Sequence, residues 1–311
     1  MTEDRQPVEG NDSGSVTQAG TRSPLLQRLH PIGFAALALA VVFVLYQGVG
    51  GGIMLLLFGL MPQSGQVGAF RLVTIAGQLA FILLPALLLA RLRYGELRRS
   101  MRISLPGAAE IFVTVVAVFS LQQVFQGYML LQDSIPWPGP LQQVMDQIRA
   151  LYEKMYLMLV GADSLQEFIV VVVTAALVPA LCEEFLFRGA VQRSLEEAAG
   201  GARAAILTGV IFGAYHLNPL TIVPLVALGI FFGYLVYRSQ SITLAVTAHF
   251  FNNFIACVAA YLKLSDEFVA IAPSGEPSMG MLIINTSLFG VVFVAAVAYL
   301  NHLTADRPRR P

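Results

Sequence analysis

An all-α fold, a polytopic membrane bundle of about eight transmembrane helices, is what the sequence predicts, and three observations carry that expectation. Of the 311 residues, 56% are hydrophobic and only 12% charged, with a mean hydropathy of +0.70, far from the roughly 25% charge of a soluble globular domain. The apolar residues are gathered into long runs, and about twenty such residues suffice to cross a hydrocarbon core. The runs lack strict apolar and polar alternation. Backbone groups in lipid must be satisfied within the segment, so such runs form helices and not a barrel.

Met1 to His30 mixes Ser, Gly, Thr, Gln and both charge signs without apolar periodicity and reads as a disordered cytoplasmic tail. From Pro31 to Phe70 no Lys, Arg, Asp or Glu occurs. That run is far longer than the short apolar core of a secretory signal, so it reads as an uncleaved first span, Ile32 to Leu60, with a glycine-rich centre, GVGGG. Further spans are predicted at Leu72 to Ala90, Ile111 to Leu131, Phe168 to Arg188, Ala204 to Leu217, Thr221 to Tyr237, Ile242 to Leu262 and Met281 to Leu300. Together they make one membrane domain over residues 31–303, with 304–311 as a second short cytoplasmic tail. Between the third and fourth spans a polar stretch, Gln132 to Gln166, contains LQQVMDQIRALYEKMYLMLV, whose apolar positions fall near helical spacing and suit the membrane interface. Arg91, Arg93, Arg98, Arg99 and Arg102 crowd the loop after the second span. By the positive-inside rule that loop is cytoplasmic, which puts both termini in the cytoplasm of a multi-pass protein of a cell inner membrane.

Nineteen basic residues balance nineteen acidic ones, so no basic field draws the chain to nucleic acid, and its partners are the lipid bilayer and what the bilayer holds. Cys182 and Cys257 both lie in apolar runs and read as small buried hydrophobes rather than as a disulfide, a metal pair or a thiol nucleophile.

Against this background a few residues stand out. A charge at the bilayer centre costs at least about 2.5 kcal/mol, so ionisable residues within spans are functional candidates by default. They are Glu183, Glu184 and Arg188 in the fourth span, His216 in the fifth and His249 in the seventh, with Asn252 and Asn253 beside it. Glu184 and Arg188 are four apart with the acid first, the favoured order for an ion pair on one helix face. Glu183 is rotated from Glu184 by about 100° and has no basic residue three or four positions away, so its partner must come from another helix. A carboxylate so placed suits general acid or base work. Pro179, four residues earlier, removes a backbone donor and loosens that turn. His249 and Asn253 are also four apart and present an imidazole and an amide in one direction, a pairing suited to a developing oxyanion. Asn252 reads as an ordinary interhelical hydrogen bonder.

Glu183-Glu184-x-x-x-Arg188, Phe212-x-x-x-His216 and His249-x-x-x-Asn253, in that order on successive membrane helices, resemble the motifs of the CAAX-prenyl-protease and bacteriocin-processing superfamily, also called the Abi or type II CAAX protease family. The likeness covers about Ser164 to Leu262, which marks about 164–262 as a catalytic core. It implies an intramembrane glutamate-type endopeptidase acting on a membrane-associated protein or peptide. Glu183 matches the family's catalytic glutamate and His216 its partner in activating water. His249 and Asn253 match the residues that hold the scissile carbonyl and its oxyanion, while Glu184 and Arg188 match the supporting remainder of the first motif. No cofactor is needed in that scheme.

Three other readings use the same residues. A zinc metallopeptidase would take Glu183, His216 and His249 as ligands, although no HExxH spacing occurs. A proton-coupled transporter would use buried Glu and His relays, although the chain lacks the repeats and paired broken helices of such proteins. A non-catalytic membrane chaperone or scaffold would keep the fold without the chemistry.

Overall fold

The computed structural model describes residues 26–263 and 278–307. Most of the expected N-terminal tail and the last four residues of the C-terminal one lie outside the described residues. Every regular element among the described residues is helical. Nine helices carry the architecture: α1 Pro31–Phe58, α2 Val67–Tyr94, α3 Ala108–Asp133, α4 Gly139–Val160, α5 Leu165–Ala199, α6 Gly201–Tyr215, α7 Ile222–Ser239, α8 Ile242–Tyr261 and α9 Met279–Leu303. A one-turn helix, Leu97–Ser100, sits in the loop after α2.

Seven of these are long and apolar enough to cross a membrane, all except α4 and α6. The chain is therefore a multi-pass membrane protein. The expected crossing at Ala204 to Leu217 is a helix of 15 residues, about 22 Å at 1.5 Å per residue against a hydrocarbon core of about 30 Å. Two breaks cut it short: Gly200 lies at φ 80° before it, and Leu217 at φ 52° follows His216 at its end. The turn beyond is held by Tyr152 Oη, which donates to Leu217 O at 3.0 Å, and by Gln132 Nε2, which donates to Leu220 O at 3.1 Å.

α6 and α7 pack with their backbones nearly touching, and glycine is what permits it. A Cβ on Gly209 would sit 2.3 Å from the Ile230 nitrogen, and one on Gly229 would sit 2.7 Å from the Gly209 oxygen. Small residues four apart let membrane helices approach this way, and both Gly209/Gly213 and Gly229/Gly233 have that spacing. Gly209→Ala is expected to cost about 1–3 kcal/mol through overpacking against backbone that cannot yield, read as a lower unfolding midpoint in detergent. Gly68→Ala, which meets nothing within 4 Å, is the control expected to leave the midpoint unchanged.

Two apolar cores flank the centre. One joins α3, α7, α8 and α9 around Leu121, Phe232 and Leu244; the other joins α1, α2, α5 and α6 around Val42, Ala86, Phe187 and Phe212. α5 runs between them. One end of the bundle is tied by ion pairs and carbonyl contacts: Arg93 to Glu197 at 2.9 Å and to Leu26 O at 3.0 Å, Arg102 to Glu196, and Arg307 to Glu110 at 2.6 Å. These bonds bring the two described chain ends, Leu26 and Arg307, to the same end of the bundle. They also dock Leu26 on α2, where its nitrogen donates to Leu92 O.

The amphipathic segment of the polar stretch is α4. Its exposed flank suits an interface, but its last turn goes inward: Val160 is buried, and the buried guanidinium of Arg71 on α2 donates to Met158 O and Leu159 O, both at 3.1 Å, and to Gly161 O. Carbonyls at a helix C-terminus have no intrahelical donors. A cation from α2 supplies them here and pins α4 against the bundle.

Candidate active site

α5 is not a uniform α-helix. Residues Val172–Leu177 and Phe185–Gln192 form π-helical turns, and the α-helical segment between them, Val178–Glu184, ends on the acid pair. Such wide turns recur at functional sites. Pro179 falls just after the first, so it has no N–H to give the carbonyl four residues back, that of Ala175. Asn253 Nδ2 from α8 donates to that carbonyl instead, at 3.1 Å.

Glu183 and Glu184 serve opposite sides of the helix. Glu184 is fully buried, and its Oε1 accepts from Arg188 Nη1 at 2.8 Å, the ion pair read from the spacing, and from His249 Nδ1 at 2.9 Å. Arg188 also donates from Nη2 to Gly229 O at 2.8 Å, and its guanidinium lies 4.8 Å from the Phe212 ring centre and 5.5 Å from that of Phe232. Aromatic faces attract a desolvated cation. The ion pair is thus held from three helices at once, with Glu184 Oε2 and Arg188 Nε left without a hydrogen-bond partner among the described residues.

Glu183 has no such set. Its Oε2 is buried without a hydrogen-bond partner among the described residues. It is faced by His216 Nε2 at 3.6 Å and His249 Nε2 at 4.0 Å. The hydrogen bonds of the two rings assign their hydrogens. His216 Nδ1 lies 2.7 Å from Phe212 O, a carbonyl that only accepts, so Nδ1 carries the hydrogen and Nε2 turns its lone pair to Glu183. His249 Nδ1 likewise donates to the ion-paired Glu184. Phe232 stacks on His249 at 5.2 Å and 24°, which fixes the ring plane.

Glu183, His216, His249, Asn252 and Asn253 line one cavity of about 250 Å³. Glu184 and Arg188 stand behind it. The structure therefore brings the four expected catalytic positions to one space and puts Glu184 in contact with His249 and Arg188 in contact with Glu184. Asn252 links helices, since Gln122 Nε2 on α3 donates to Asn252 O at 2.7 Å and to Asn252 Oδ1 at 3.2 Å. Sequence reasoning missed Phe232, Gln122 and the α4 residues Tyr156, Leu159 and Val160 that complete the wall. Gln122, a polar residue inside an apolar run, was the one available signal. Tyr156 and Leu159 also border a larger chamber of about 1060 Å³ between α1, α2 and α4. No group of three or more His, Cys, Asp or Glu among the described residues is arranged to hold a metal ion.

Residues 165–255, from the start of α5 into α8, match the family model described as Rce1-like, type II CAAX prenyl endopeptidase Rce1-like. The chain is similar to the CAAX protease family over this segment, which spans less than a third of its length. No curated protein and no solved structure matches it. The matched segment holds Glu183, His216, His249 and Asn253, whereas α1, α2 and α4, which enclose most of the larger chamber, lie outside it. The larger chamber is thus walled mainly by stretches outside the matched segment, with Asn218, Leu220 and Thr221 reaching it from inside.

Proposed function

We propose that this chain is a glutamate-type intramembrane endopeptidase of the CAAX protease family. It hydrolyses a peptide bond in a membrane-associated protein or peptide, with water activated by Glu183 and His216 and the oxyanion held by His249 and Asn253. The observation that carries this reading is the unpartnered Glu183 Oε2, faced by two imidazole nitrogens across 3.6 and 4.0 Å inside a small cavity. The His216 separation is longer than a hydrogen bond, and a water between the carboxylate and Nε2 satisfies both. The water oxygen attacks the scissile carbonyl carbon, its proton passes to Glu183, and the carbonyl electron pair moves onto oxygen. Asn253 Nδ2 donates to that oxyanion. His249 Nε2 donates as well when the ring carries both hydrogens, a form whose charge Glu184 balances from behind, as the buried aspartate does in a serine-protease triad. Collapse breaks the C–N bond, and the proton held by Glu183 goes to the leaving amine. The larger chamber beyond Tyr156 and Leu159 receives the membrane-embedded part of the substrate. The arginine-tied end of the bundle is its cytoplasmic end in a cell inner membrane.

The test compares protein termini by quantitative mass spectrometry in membranes of the native host expressing wild type or Glu183→Gln. New termini seen only with wild type are expected, and they identify substrate and cleavage site together. Identical termini, with both proteins present in the membrane, sink the peptidase reading in favour of a scaffold or transporter. Cleavage of the mapped site is expected to continue after treatment with 1,10-phenanthroline. Loss that zinc restores would replace the glutamate mechanism by the metallopeptidase one.

A further inference from the structure

We propose that Gln122 and Asn252 are positioning residues that orient the amide of Asn253 through a directed relay across α3, α8 and α5. The inference rests on the oxyanion role proposed for Asn253 and goes beyond it. Gln122 Nε2 donates to Asn252 Oδ1 at 3.2 Å, Asn252 Nδ2 donates to Asn253 Oδ1 at 3.0 Å, and Asn253 Nδ2 donates to Ala175 O at 3.1 Å. A side-chain amide taken alone can point either way, because its oxygen and nitrogen are similar in shape. This row of three cannot. Both of its ends meet backbone carbonyls, which only accept: Gln122 Nε2 meets Asn252 O at 2.7 Å, and Asn253 Nδ2 meets Ala175 O. The nitrogens of the two end residues are therefore fixed. Asn253 must turn its oxygen to Asn252, and Asn252 must turn its own oxygen to Gln122.

Reversing any one amide would set oxygen against oxygen or leave two N–H groups facing each other in a partly buried setting, where unpaired polar groups are costly. The consequence falls on the cavity. With its oxygen occupied and one Nδ2 hydrogen spent on Ala175, Asn253 has a second Nδ2 hydrogen for the space it shares with Glu183 and His249. The relay thus presents a donor, and not an acceptor, to the place where negative charge develops. It depends on Pro179, whose missing N–H leaves Ala175 O open to a side chain.

The experiment is a double-mutant cycle on the full chain in proteoliposomes, with kcat and KM measured on a peptide spanning the cleavage site mapped by the termini comparison. Asn253→Ala is expected to lower kcat by about 10²–10³-fold. Gln122→Leu and Asn252→Leu are each expected to lower kcat by about 10²-fold with KM unchanged, the scale of a small misplacement. Neither should lower it further in the Asn253→Ala background. Gln122→Glu keeps the size but offers only oxygen, and its expected loss matches that of Gln122→Leu, which separates orientation from packing. Equal losses with and without the Asn253 amide would make the role structural and overturn the relay. Wild-type kcat in Gln122→Leu, Gln122→Glu and Asn252→Leu, alongside a slow Asn253→Ala, would overturn the relay alone. Wild-type kcat in Asn253→Ala, or no mapped cleavage in the wild type, would remove the oxyanion reading and the relay with it.

Discussion

Glu183→Gln is expected to lower kcat by about 10²–10⁴-fold, the range of a lost general acid or base, while KM, membrane insertion and unfolding midpoint stay near wild type. The substitution keeps the length and planarity of the side chain, so the cavity it lines with His216 and His249 keeps its shape. What goes is an oxygen that can take a proton from water and return it to the leaving amine. Because Glu183 forms no ion pair with Arg188, its loss strands no buried cation. Steady-state kinetics on the mapped peptide, with thermal unfolding of the same preparations, check both halves. A kcat within tenfold of wild type would remove Glu183 from the proton-transfer role, and a large fall in midpoint would recast it as structural.

Arg188→Ala is expected to do the reverse, costing about 3–5 kcal/mol of stability, as breaking one side of a buried pair does. Glu184 and Arg188 are both fully buried at their side chains. Without the guanidinium, Glu184 keeps only its contact with His249, Gly229 O loses its side-chain donor, and the rings of Phe212 and Phe232 face a void. Replacing both partners together, Glu184→Gln with Arg188→Met, removes the stranded charge and is expected to recover most of that stability. It should not recover kcat, because His249 then lacks the carboxylate behind Nδ1. Unfolding in detergent and turnover, measured on the single and double variants, separate the two effects. A double variant as unstable as Arg188→Ala would mean that lost volume, and not lost charge pairing, sets the cost.

The fold class was legible because lipid leaves the backbone so few options, and the crossings lie close to where the apolar runs put them. The exceptions have identifiable causes. The fourth span was expected to stop at Arg188 but continues to Ala199, with the polar Gln192 and Glu196 of the extension buried: Gln192 donates to Gly233 O at 3.0 Å and Arg102 pairs with Glu196. Hydropathy counts such groups as if water solvated them. The meeting of Glu183, His216, His249 and Asn253 in one cavity was foreshadowed by motif order and four-residue spacing, which report helix faces. The contribution of α4 was not, since its last turn is drawn inward by Arg71, a residue nearly ninety positions earlier whose carbonyl partners leave no mark in composition. Nor could spacing reveal that Asn252, read as an interhelical hydrogen bonder and seen as one, links Gln122 to Asn253.

The first wide turn of α5, Val172–Leu177, also decides where its acids point. An α-helix advances about 100° per residue, and a π turn takes in about one residue more than an α turn. Every side chain after Val172–Leu177 is therefore out of phase, by about that angle, with the face it would occupy on a regular helix. Straightening that one turn would swing Glu183 and Glu184 together about a quarter of the way around the axis, carrying one off the histidines and the other off the Arg188 and His249 side. The acid pair is aimed by a fault in the winding of the backbone, set well upstream of either carboxylate.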